Sequence, residues 1–137
     1  MDEQQTLSET PPPPAQVTAA DAERRAKEGR DWAMWIHLSL LAGYVVPWAG
    51  LILPIILWQM KKEEFPEIDI HGKNVANWII SAHIYGAIAV PLICFFFVGL
   101  LIVIPLAIAS IVFPIIGGIK AGKGEVWSYP LSIPLFR

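Results

Sequence analysis

Apolar positions fall into two long blocks separated by a polar island. No Asp, Glu, Lys or Arg occurs from Trp32 to Met60, nor from Asn74 to Ile119. Apolar runs beyond about 18 residues without charge match membrane spans. The second block is long enough for two crossings of around 20 residues each. Gly99 is the expected turn, giving helices over about 70–98 and 100–120. Pro91, Pro105 and Pro114 are expected to kink these helices or shift their ends. Gly117-Gly118 permits close helix approach before Lys120 marks the interface.

The first block is harder. Trp32 to Gln59 as one helix would be roughly 42 Å long, but Pro47-Trp48-Ala49-Gly50 interrupts it and Pro54 follows. Proline removes a backbone donor and clashes with the preceding turn. The block is either one kinked span or a hairpin of helices over about 32–46 and 50–60. Basic residues favour the hairpin. Arg24, Arg25, Lys27 and Arg30 precede the block, Lys61, Lys62 and Lys73 lie in the island, and Lys120, Lys123 and Arg137 follow the second block. Only two hairpins place all of them on one face, as the positive-inside rule prefers. Each half of the first hairpin is near 20 Å, short of the roughly 30 Å hydrocarbon core, so a partial or re-entrant element is expected there.

Residues 1–17 contain Pro11–Pro14 among polar residues and are expected to be disordered. Thr18 and Asp21 have the form of a helix start. A short helix over about residues 18–31 is expected to run into the first membrane segment, with Trp32 and Trp35 near the interface. The ending Glu125–Phe136 carries two prolines. It is expected as an extended strip over 125–137 along the cytoplasmic face, with Trp127 and Tyr129 at headgroup depth. The fold class is thus an all-α integral membrane protein, a bundle of three to four membrane helices over residues 32–137.

Composition agrees: the chain is 55% hydrophobic and 16% charged, against roughly 25% in soluble domains. A net charge of −2 gives no strong attraction to nucleic acid. The single cysteine, Cys94, has no disulfide partner and is expected to be inert packing.

The stretch HGKNVANWIIS, His71–Ser81, holds most of the candidate chemistry. Asp69 is the expected N-cap of its helix. Asn77, Ser81 and Tyr85 then share one face, with Asn74 nearby. In lipid this polar stripe must face other helices or a wet cavity. It is either interhelical packing or a polar path. Lys73 suits a snorkelling interfacial anchor. His37 and His83 are intramembrane histidines, which by default are functional candidates. No two histidines are spaced for a shared helical metal site, so neither metal nor cofactor is expected. No paired membrane carboxylates, HExxH, GxSxG or phosphate loop occurs, and no catalytic residue is assigned.

Three blocks together, His37–Trp58, His71–Ser81 and Ile115–Ile133, resemble a family of small bacterial membrane proteins related to the Tic-twenty subunit of the chloroplast inner-envelope translocon. The resemblance covers about residues 32–134. It implies a multi-pass protein of the bacterial inner membrane, with its N-terminus cytoplasmic, and supplies no reaction. Its motif positions here are His71, Gly72, Lys73, Gly124, Glu125, Tyr129 and Pro130. The ending is expected to fold against the HGK helix start, with Glu125 pairing with Lys73. Two functions compete. One is a non-enzymatic interaction or assembly component, meeting the bilayer and a protein partner on its cytoplasmic face. The other is an oligomeric small channel or transporter using the Asn74–Tyr85 stripe. A homo-oligomer fits the second, because so short a chain hardly encloses a pore.

Overall fold

The structure is a computed structural model that describes residues 18–97 and 99–136, with the side chains of residues 94–96 excepted. The disorder expected of residues 1–17 and the packing expected of Cys94 lie outside what is described. Among the described residues the chain is all helical: α1 (Ala19–Leu38), α2 (Ala49–Lys61), α3 (Asp69–Phe96) and α4 (Leu100–Gly122). Two stretches, Pro66–Ile93 and Leu100–Gly122, are long and apolar enough to cross a membrane.

α1 begins with a reciprocal cap. The Asp21 amide donates to Thr18 Oγ1 at 3.2 Å, and the Thr18 amide donates to Asp21 Oδ2 at 3.3 Å. Two orphan donors are thereby satisfied. The aqueous helix and the first apolar segment form one continuous α1. It does not reach residue 46 as an α-helix, however. It ends at Leu38 and tightens into a 3₁₀ segment over Ser39–Tyr44. The cause is the close approach of Gly43 and Gly50 across the following turn. A Cβ on Gly50 would strike the Leu40 carbonyl oxygen, so two glycines are needed for the chain to double back. Trp48 completes this turn with a left-handed φ of 69°. The first block is therefore a hairpin rather than one kinked span.

The second hairpin turns at Phe97, whose φ is 53°, and Gly99. Gly99 packs so tightly on α3 that a Cβ would meet the Ala89 carbonyl oxygen. Pro54, Pro91, Pro105 and Pro114 lie inside helices rather than ending them. Asp69 does not cap α3. A 3₁₀ turn over Pro66–Ile68 leads into that helix, and Ile68 stands at the cap position without a side-chain bond. The Asp69 carboxylate instead accepts from Trp58 Nε1 at 3.0 Å and pairs with Lys73 Nζ at 2.8 Å.

Packing gathers the charges at one end. Arg25 donates to the Glu64 carbonyl at 2.6 Å and lies over the Phe65 ring. Lys61 Nζ sits 4.8 Å from the Trp32 ring centre. Gly29 closes on the Glu67 side chain, and Gly124 on Arg30. The core lies at the same end, built from Ala33, Ile36, Trp58, Phe65, Ile68, Val75, Trp78 and Ala121. α2, with 13 residues, is about 20 Å long, whereas α3, with 28, is about 42 Å. The second hairpin therefore continues past the first. Its outer half shows Ile84, Ile88, Val90, Leu101, Ile104 and Ile108 on the surface.

Candidate functional site

The four stripe residues do share a face of α3, and what they meet is neither another helix nor an open path. It is the backbone of the chain's own ending. Asn74 Nδ2 donates to the Trp127 carbonyl at 3.1 Å. Tyr85 donates from its hydroxyl to the Leu131 carbonyl at 2.6 Å. The Ile133 amide donates to Ser81 Oγ at 2.7 Å, while that hydroxyl donates to the Asn77 carbonyl. Asn77 holds the end of the segment three ways. Its Oδ1 accepts from the amides of Leu135 (3.0 Å) and Phe136 (2.8 Å), and its Nδ2 donates to the Phe136 carbonyl (3.0 Å).

These partners trace a path. The segment leaves α4, descends beside α3 from Asn74 to Tyr85, about 16 Å along the helix, turns, and climbs back to Asn77. The turn has the Ser132 amide donating to the Tyr129 carbonyl at 3.2 Å. Pro130 stands second and Leu131 third, with φ of 66°. Turns that need a positive φ at the third position usually place glycine there. The expected strip along the cytoplasmic face is thus corrected: residues 127–136 form a loop that doubles back along α3, with Tyr129 buried and most of its other residues exposed. The physical reason lies in the stripe. Non-helical backbone away from water is tolerated only where its polar groups are satisfied, and the stripe supplies those partners.

The loop is fastened at Tyr129, which is buried. Its ring stacks on Trp78 with centroids 5.4 Å apart and lies 6.1 Å from Phe113. Its hydroxyl meets His37 Nδ1 at 2.6 Å, and His37 Nε2 meets His71 Nδ1 at 3.1 Å. Both histidines are buried. Among the described residues no other acceptor faces the buried Tyr129 hydroxyl, so it donates to His37 Nδ1, and His37 Nε2–H then donates to His71 Nδ1. The chain of bonds ties α1, α3 and the ending together. Gly117 makes room for it, since a Cβ there would lie 2.5 Å from His37 Nδ1. Gly72 does the same for Trp58, whose indole such a Cβ would overlap.

The spacing of histidines in the sequence gave no sign that His37 and His71 meet, because residues 34 apart were brought together by tertiary packing. No signal in the sequence alone would have found the pair. The expected Glu125–Lys73 pair is absent. Lys73 holds Asp69, and Glu125 pairs with Lys120 at 2.9 Å. The Lys120 ammonium, by hydrogen bond and charge, holds the exposed Glu125 carboxyl below its ordinary range. His83 stands apart from this cluster, with Nδ1 against the Ile79 carbonyl at 2.7 Å. Among the described residues no three His, Cys, Asp or Glu side chains gather as a metal site. Hydrogen bonds link Tyr129, His37 and His71 in one chain.

No curated protein and no solved structure matches this chain. The resemblance to a Tic-twenty-like family is overturned, because the family model that matches is a different one. That model covers residues 28–136, from the charged half of α1 to the end of the loop that follows α4, and the chain belongs to the family it describes, the MamF/MmsF magnetosome magnetite crystal formation protein family.

Proposed function

We infer that this chain is a multi-pass membrane protein acting in magnetosome magnetite crystal formation as a non-enzymatic assembly component. The observation that carries this is the division of the surface. Charged side chains of the described residues collect at one end, while the turns at the other are tipped by Val45, Trp48 and Phe97. Such tips tolerate lipid and fit poorly in water. α3 and α4 cross the bilayer, and the shorter first hairpin enters it partway. The charged end, with its lysines and arginines, faces the cytoplasm by the positive-inside rule and offers the surface for a protein partner.

A channel or transporter along the α3 stripe is the weaker reading, because Asn77, Ser81 and Tyr85 are bonded to the chain's own ending. Two experiments test the proposal. Single cysteines replacing Trp48, Glu64 and Ser128 in a Cys94→Ser background are probed with an impermeant thiol reagent. Glu64 and Ser128 positions should label from the same side, and Trp48 from neither or the other. Labelling of 64 and 128 from opposite sides refutes the topology. Deleting the gene in its native cell should change the size or number of magnetite crystals seen by electron microscopy. Crystals unchanged in both size and number overturn the role.

A further inference from the structure

A recess lies where the turn of the short first hairpin meets α3 and α4. It measures about 270 Å³ and is walled by the aromatic rings of Tyr44, Trp48 and Trp78 and by polar His83 and Ser110. Gly43 and Gly50, whose backbones meet closely, also line it. None of the residues around it is charged. Ser110 is ten residues before Lys120, about 15 Å along α4. On the membrane reading proposed above, the recess therefore sits near the middle of the bilayer.

Its polar groups can be assigned. Ser110 donates to the Ala107 carbonyl at 2.8 Å, so its oxygen accepts the Tyr44 hydroxyl at 2.5 Å. His83 Nδ1 must carry the hydrogen, because the Ile79 carbonyl facing it at 2.7 Å can only accept. In the neutral ring Nε2 then keeps a lone pair, and no described residue donates to it. A lone imidazole without carboxylate or thiolate neighbours is a poor metal site, which takes three or four ligands. It is a good acceptor for one O–H.

The space fits a small aromatic molecule. A cavity near 150 Å³ holds benzene, and pockets for larger ligands begin near 300 Å³. One ring or two fused rings fit, stacked against indole and phenol faces. Trp48 adds a separate sign. It holds a left-handed backbone, with φ of 69°, which a residue with a Cβ rarely adopts, yet it is 71% exposed. Strain of this kind persists at ligand clamps and switch regions. We propose that this recess binds the ring of a membrane-soluble hydroxyaromatic molecule, a phenol or quinol, whose O–H donates to His83 Nε2 while Trp48 and Trp78 flank the ring.

The test uses the full chain in lipid nanodiscs and two probes of the same shape, 2-naphthol and naphthalene. Side-chain ¹⁵N NMR follows His83 Nε2 and the Trp48 indole N–H. 2-Naphthol should shift both signals saturably, and naphthalene should bind at least tenfold more weakly. In His83→Phe, read at Trp48, the preference for 2-naphthol should vanish. Equal affinity for the two probes on the unmodified chain overturns the proposal, as does the absence of any saturable shift. A retained preference in His83→Phe overturns the role of Nε2.

Discussion

Asn77 is the residue on which the loop that follows α4 depends most, and Asn77→Leu isolates its contribution. Leucine has nearly the shape of asparagine and makes no hydrogen bond. The change deletes three bonds at once, to the amides of Leu135 and Phe136 and the Phe136 carbonyl. Each such bond is worth about 1 kcal/mol net, so the end of the loop should be weakened by about 3 kcal/mol. Leaving the Phe136 amide and carbonyl unpaired away from water would cost more, about 1–3 kcal/mol each, whereas the Leu135 amide keeps a second acceptor, the Ile133 carbonyl at 2.9 Å. The segment can avoid that by detaching, because Leu135 and Phe136 are both about half exposed. The expected result is local release, not global unfolding. Tenfold in an equilibrium constant corresponds to about 1.4 kcal/mol. Amide exchange at Leu135 and Phe136 should therefore accelerate by roughly 150-fold in detergent micelles. The Ile133 amide, held independently by Ser81, should change far less. Equal exchange at residues 135 and 136 in the two proteins would refute the claim that the stripe exists to satisfy this backbone. Equal acceleration throughout α3 would refute the claim that release is local.

Tyr129→Phe keeps the ring stack and removes the donor to His37, leaving a buried acceptor unpaired. Thermal unfolding should show a loss of about 1–3 kcal/mol, well below the about 3–5 kcal/mol expected when Tyr129→Ala also removes the ring. Gly72→Ala pushes a methyl into the Trp58 indole and should destabilise by about 1–3 kcal/mol, with a shift in Trp58 fluorescence as its bond to Asp69 is disturbed. Leu131→Gly relieves a left-handed backbone at a side chain that is 75% exposed. Unfolding should show stabilisation of up to about 1 kcal/mol, the relieved strain being partly offset by the freer unfolded chain; a loss of that size would contradict the turn geometry. Because Lys120 lowers the Glu125 carboxyl, their attraction is present above the ordinary carboxylate range and is lost as pH falls through the lowered value. A carbon NMR titration of Glu125 should move its midpoint upward in Lys120→Met.

Two charge-free blocks, with the basic residues grouped before, between and after them, were enough to predict a helical hairpin pair with its charges at one end. That much is local and compositional: lipid-length apolar runs favour helices, and glycine with proline breaks them where the chain must reverse. The Thr18–Asp21 cap and the shared face of Asn74, Asn77, Ser81 and Tyr85 follow from spacing alone. The partners of that face do not. A polar stripe states only that something must satisfy it, and a helix or a water-filled path would serve equally well. Tertiary packing decided that residues 127–136 fold back along α3, because the apolar ring of Tyr129 gains burial against Trp78 and Phe113 while the stripe pairs with the accompanying backbone. It also decided the pairing of charges. Lys73 is one helical turn from Asp69 and takes it, leaving Glu125 to Lys120. The meeting of His37, His71 and Tyr129 across three separate parts of the chain was beyond any periodicity, since contacts between distant segments depend on how the helices pack, and no local pattern encodes that.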